Sequence, residues 1–104
     1  MKKLLTILCL VLLVSCSNEV PSHKLVIRQG IHYEINSTKP FTGIAVTYHD
    51  NGQVRAREEF KKGKLHGLWE EYYENGQLMK KARYKNGERE TWLEFYHEDG
   101  TRGF

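Results

Sequence analysis

Across its 104 residues the chain has two cysteines, and Cys9 lies within an apolar run near the start. If that run leaves during maturation, Cys16 is the one thiol that remains. A disulfide is then excluded, and burial and hydrogen bonds must hold the fold. No apolar segment is long enough to span a membrane as a mature helix. The longest, LLTILCLVLLV from Leu4 to Val14, falls short of the ~20 residues a spanning helix needs. A glycine-rich phosphate loop, a zinc-ligand spacing and a nucleophile elbow are all missing. A basic surplus is missing too: once Lys2 and Lys3 go, the balance is 14 basic to 13 acidic residues, a net charge of +1. Neutralising nucleic-acid phosphates needs more than that, so no nucleic-acid partner is expected.

The N-terminus is an address. Two lysines precede the apolar run, the form of a secretory signal. The run ends in LVSC, Leu13 to Cys16, which resembles the lipobox of bacterial lipoproteins. That resemblance implies cleavage before Cys16, acylation of its sulfur with fatty chains such as palmitate, and attachment to a membrane through the lipid alone. Only a thiol supports this chemistry. Ser17 follows the cysteine where Asp would resemble an inner-membrane retention signal, so the outer membrane is favoured in a host with two membranes. The expected division is a signal peptide over 1–15, a flexible tether over 16–24 (SNEVPSHK after the cysteine is polar and aperiodic) and a folded domain over 25–104. The mature 89 residues suffice for one small domain.

Within that domain one phrase is written three times. YHDNGQV at 48–54 returns as YYENGQL at 72–78 and as FYHEDGT at 95–101, so Gly52, Gly76 and Gly100 stand 24 residues apart. The same shift aligns Ile44, Leu68 and Trp92; Tyr48, Tyr72 and Tyr96; and Phe60 with Tyr84. Repeats of about 41–64, 65–88 and a partial 89–104 result. Glycine spacings that alternate between 11 and 13 residues suit short strands joined by turns, a β-meander.

Burial decides the turn. A two-residue loop at Asn51–Gly52 scatters apolar residues over both faces, whereas a three-residue loop at 50–52 sets Tyr48 opposite Val54 and Val46 opposite Ala56. One face then collects Ile44, Val46, Tyr48, Val54, Ala56 and Phe60. In the second repeat the same register collects Leu68, Tyr72, Leu78, Ala82 and Tyr84, with Glu70 opposite Lys80. The glycine closes the loop in a left-handed conformation. The phrase is thus a hairpin signal.

The acidic turn residues do not form a reaction centre by this reading. HDNGQV has too few carboxylates for a calcium loop. Turn acids on successive repeats lie roughly 9 to 10 Å apart, set by the strand spacing, with no concave site between them. The five histidines show no ligand pairing. No catalytic residue, metal or cofactor is expected.

GLWEEYYENGQL with ARYKNG, GIHYEINSTKPFTG and KKGKLHG together resemble the variant MORN repeat of bacterial exported proteins, a type often labelled antitoxin-like. The resemblance runs from about Leu25 to the end. It implies an elongated single-layer antiparallel sheet that serves as a binding or assembly surface, in some members proposed to contact lipid. The match is imperfect at Thr91, where Gly43 and Gly67 predict glycine, and the third copy stops at Phe104.

The other face is expected to carry Trp69 and Tyr73 in the second repeat and Leu93 and Phe95 in the third, against Ala45, Thr47, His49, Arg55 and Arg57 in the first. These aromatics either cover their own sheet face under lysine and arginine stems or meet a partner, since a one-layer sheet cannot bury both faces. Trp69, Tyr73, Trp92, Leu93 and Phe95 are the candidate binding residues. Trp92 to His97 is expected near the sheet's edge, open to self-association or strand addition. The function expected is a lipid-anchored, non-catalytic protein-binding or assembly module of the cell envelope. An antitoxin or immunity protein that neutralises a toxin by direct binding is the alternative.

Overall fold

In the computed structural model, which describes residues 18–103, eight strands run in chain order. They are β1 Glu19–Pro21, β2 Leu25–Arg28, β3 Ile31–Glu34, β4 Gly43–Tyr48, β5 Val54–Lys61, β6 Lys64–Tyr72, β7 Leu78–Lys85 and β8 Glu88–Phe95. Six form an open sheet in the order β1-β4-β5-β6-β7-β8, and β2-β3 is a separate hairpin. The all-β meander read from the glycines is present. The signal segment 1–15, Cys16 and Phe104 lie outside the described residues.

Two turn types alternate along the sheet. At one end Lys62-Gly63 and Asn86-Gly87 have φ of 51°, 84°, 50° and 88°, the left-handed pair of a two-residue type I′ hairpin. At the other end the three-residue loops are as expected. The Gly52 N–H donates to His49 O and the His49 N–H to Gln53 O, a pattern repeated at Tyr73–Gln77 and at His97–Thr101. Gly52, Gly76 and Gly100 have φ near 90° (89°, 90° and 91°).

The register beyond those loops differs from the expected one. Tyr48 faces Val54, but Thr47 faces Ala56 and Val46 faces Arg57, because Arg55 is an extra, bulged residue. The second repeat does the same at Met79: Tyr72 faces Leu78, Glu71 faces Lys80, and Glu70 faces Lys81 rather than Lys80. A bulge inserts one residue, and one residue moves every later side chain to the opposite face. Ala56, Phe60, Ala82 and Tyr84 therefore leave the face of Ile44 and Tyr48 and join that of Ala45 and Trp69. This sorts the sheet by chemistry. One face carries the row Ala45, Glu58, Trp69, Ala82, Trp92, and the other carries Val46, Arg57, Glu70, Lys81, Glu94.

The tether shrinks as well. Glu19–Pro21 pairs in parallel with β4, and Ser22–Lys24 forms a 3-10 turn, so the folded body begins before Leu25. Asn18 is already tied in: its side chain donates to Thr42 O, and its carbonyl accepts from Ile44 N at 2.9 Å.

The core sits at the first-repeat end. Phe41, Ala45 and Phe60 are buried, with Val20, Leu25 and Leu65 against them. The His32 and Phe41 rings lie 4.5 and 5.8 Å from that of Phe60. Gly63 locks this end: its N–H donates to Phe41 O, and its carbonyl accepts from His32 N. A Cβ there would overlap Ile31. The β2-β3 hairpin thus lays a second layer over the first repeat, and among the described residues the later repeats stay one layer.

Candidate binding surface

The aromatic row is the exposed half of the face that the hairpin covers at its other end. Trp69 stands edge-on to both Tyr84 and Trp92, each with ring centroids 6.1 Å away. Ala82, fully buried, lies between the two indoles in the register. Its small side chain lets the two large rings meet. Cations frame them: Lys80 Nζ is 5.5 Å from the Trp69 ring and 5.6 Å from the Trp92 ring, and the Arg89 guanidinium is 4.7 Å from Trp92. Such contacts contribute about 0.5–1 kcal/mol each at exposed sites. Trp92 remains 39% exposed. Beside Trp69 sits Glu58, whose carboxyl burial pushes above its ordinary value of 4.5, against the lowering effect of its hydrogen bond with the Trp69 side chain.

The opposite face carries an ion-pair row. Arg57 reaches Glu19 at 2.7 Å and Glu70 at 4.0 Å, and Lys81 reaches Glu70 at 3.5 Å and Glu94 at 3.9 Å. From Arg57 on β5 to Glu94 on β8 the signs alternate strand by strand, and Glu19 on β1 reaches Arg57 across β4, whose Val46 is uncharged. Tyr72 and Tyr96 donate to Glu70 and Glu94 at 3.0 and 2.9 Å. These bonds help hold both phenols above their usual range, after burial at Tyr72 and as the leading cause at Tyr96. Each half-exposed pair contributes little. The row fixes register more than stability.

Of the five expected binding residues, Trp69, Trp92 and Phe95 share one face. Tyr73 does not join them: its hydroxyl donates to Tyr96 O at 2.8 Å, which ties one repeat to the next. Leu93 is the extra residue of a bulge between its neighbours' pairings. Phe95 is partly covered by the returning chain, since a Cβ on Gly103 would overlap its ring. Alternation alone does not find Lys80, Tyr84 and Arg89. The bulge at Met79, seen in the folded register, brings Lys80 and Tyr84 to the tryptophan face.

The turn phrase does more than close a hairpin. Asn51 Oδ1 accepts from Gln53 N within its own loop, while its Nδ2 donates to Glu74 O of the next loop. Asn75 repeats this with Gln77 and Glu98. His49 Nε2 lies 2.8 Å from Tyr72 O, so Nε2 carries the proton, and Tyr73 bonds to Tyr96 O from the equivalent position. At the opposite end Gly87 N donates to Leu65 O. Residues 41–62 and 65–86 match the family model of the MORN repeat variant. The two MORN-type segments are the two complete hairpins, β4-β5 and β6-β7. MORN repeats are commonly protein-binding modules, and here the second of them supplies Trp69, Lys80, Ala82 and Tyr84. No curated protein and no solved structure matches the chain significantly.

Proposed function

We propose that this chain is a non-catalytic protein-binding module of the bacterial cell envelope, held at the membrane by a lipid on Cys16. The observation that carries the binding role is the tryptophan pair at 6.1 Å, framed by Lys80 and Arg89, with Trp92 left 39% exposed on a sheet face that the β2-β3 hairpin covers elsewhere. Aromatic rings with adjacent cations dominate protein contact energies, and an uncovered cluster of them marks a contact surface.

The address rests on LVSC and the lysines and apolar run before it. Only Ser17 separates Cys16 from Asn18, whose bonds to Thr42 and Ile44 belong to the sheet. A lipid at that position holds the sheet close to the bilayer, with no long leash.

Capture from detergent-solubilised envelope with the full chain, beside a Trp92→Lys variant, tests the binding role. One stoichiometric protein partner is expected, lost with Trp92→Lys while the variant still melts in one cooperative transition. Capture that is unaffected by Trp92→Lys would remove this face from the reading, and a one-to-one complex that silences a toxin would assign the antitoxin role instead. Intact mass of the mature chain tests the anchor, because any N-terminus other than acylated Cys16 would overturn it.

A further inference from the structure

β8 occupies the place that β6 occupies one repeat earlier, yet β6 has a strand on each side and β8 is at the sheet's end. The strand that would flank it is begun. Tyr96 bridges Arg102 as Tyr48 pairs with Val54 and Tyr72 with Leu78, and Gly103 N donates to Phe95 O at 2.7 Å. Beyond that point Glu88 to Glu94 has no second strand beside it among the described residues.

We infer that this slot takes a short cationic strand from a protein partner, lying antiparallel to β8 as β7 lies on β6, an inference that rests on the binding-module reading above. The molecule itself supplies the template. From 88 to 99, β8 and the loop after it carry Glu88, Glu90, Glu94, Glu98 and Asp99 against Arg89, whereas β7 carries Lys80, Lys81, Arg83 and Lys85 and no carboxylate. Where β7 meets β6, Lys81 stands 3.5 Å from Glu70, Lys80 stands 3.8 Å from Glu71, and Ala82 lies beside Trp69. The alternation Arg57, Glu70, Lys81, Glu94 ends on a carboxylate, so the next strand in it carries a cation, followed by a small residue beside Trp92. Backbone pairing supplies affinity and the alternate side chains supply selectivity.

A second copy fits poorly. β8 against β8 sets carboxylates beside carboxylates, and β8 against the far edge in the same row sets Glu94 beside Pro21, which lacks an N–H donor. Bulges at Glu90 and Leu93 shorten the straight run, which suits a short segment and discourages sheet-to-sheet growth.

The probe is the pentapeptide KARYK, residues 81–85 of β7, which leaves the places of Arg102 and Gly103 clear; it is titrated into the full chain in detergent with Trp69→Phe so that Trp92 alone reports. Saturable binding with a blue shift of Trp92 emission is expected, weakening as salt rises. Glu94→Lys should lower the affinity about tenfold or more, and the peptide EARYK should recover it on that variant, as a charge swap across one pair requires. Equal binding of a scrambled peptide of the same composition, or indifference to Glu94→Lys, would overturn the inference. Envelope capture with Glu94→Lys separates the two readings: a partner lost with Trp92→Lys but retained with Glu94→Lys leaves the binding module standing and removes the edge strand.

Discussion

Phe60 and Trp92 stand at opposite ends of the same sheet face and meet opposite surroundings. Phe60 is 5% exposed, enclosed by Phe41, His32 and the docked hairpin; Trp92 leans on Trp69, with Lys80 and Arg89 beside it, and stays 39% exposed. The local grammar is the same at both ends: a strand, a turn, a strand and a bulge. The difference is whether a second layer lies on top. A repeat array makes its backbone order from neighbouring repeats, so it does not need every face covered, and the end without a cover is free to meet another molecule.

The sharpest way to break that contrast is truncation. Phe60→Ala should cost about 3–5 kcal/mol, read from urea unfolding, and should loosen the β2-β3 hairpin first. Trp92→Ala should cost well under half of that, because an exposed ring loses little on truncation. Equal costs would mean that the two ends are equally built and that the uncovered face has no special status.

A smaller effect is expected at the loops. Gly76 has φ of 90° and an added Cβ would press on the end of the Gln53 side chain, so Gly76→Val should cost on the order of 1–2 kcal/mol or more. A melting temperature unchanged by that substitution would contradict the loop geometry. Smaller again is the bond between loops. Asn75→Ala removes one bond within its loop and one to Glu98 O, for about 1 kcal/mol. Asp99→Asn should be close to neutral, because the third loop has no fourth loop to bond to among the described residues.

The finest distinction is one of pH. Glu58 has its carboxyl raised above 4.5 by burial beside Trp69. The folded state therefore holds that proton more tightly than the unfolded chain does. By linkage, the contribution of this group is fully present below its unfolded pKa and is lost as pH rises through the folded value. Melting curves taken upward from pH 4 should show a loss of stability that Glu58→Gln removes, and a wild-type and a variant with the same pH slope would sink the assignment.

Much of this architecture is legible in the residues. Gly52, Gly76 and Gly100 announce the loops and their left-handed backbone. The faces are not legible. A bulge at Arg55 or Met79 leaves the loop phrase intact and shifts only the later residues of the strand, and simple alternation cannot register one extra residue. The sign alternation of Arg57, Glu70, Lys81 and Glu94 appears only once the bulged residues are placed. Glu19–Pro21 reads as tether because three residues are too few to show a period, and its parallel pairing comes from contact with β4, not from local preference.

The relay between loops also runs one way. Asn51 hands a hydrogen bond to the second loop, and Asn75 hands one to the third. Asp99, with a carboxylate in place of the amide, spends both its bonds on Thr101 inside its own loop and has no N–H to pass forward. Among the described residues the relay stops at this amide-to-acid exchange. Lengthening such a molecule needs no redesign of either end. A duplicate of residues 65–88 placed after the second repeat would bring its own asparagine donor and its own carbonyl acceptor, and would move the stop outward by two strand spacings, about 9 to 10 Å.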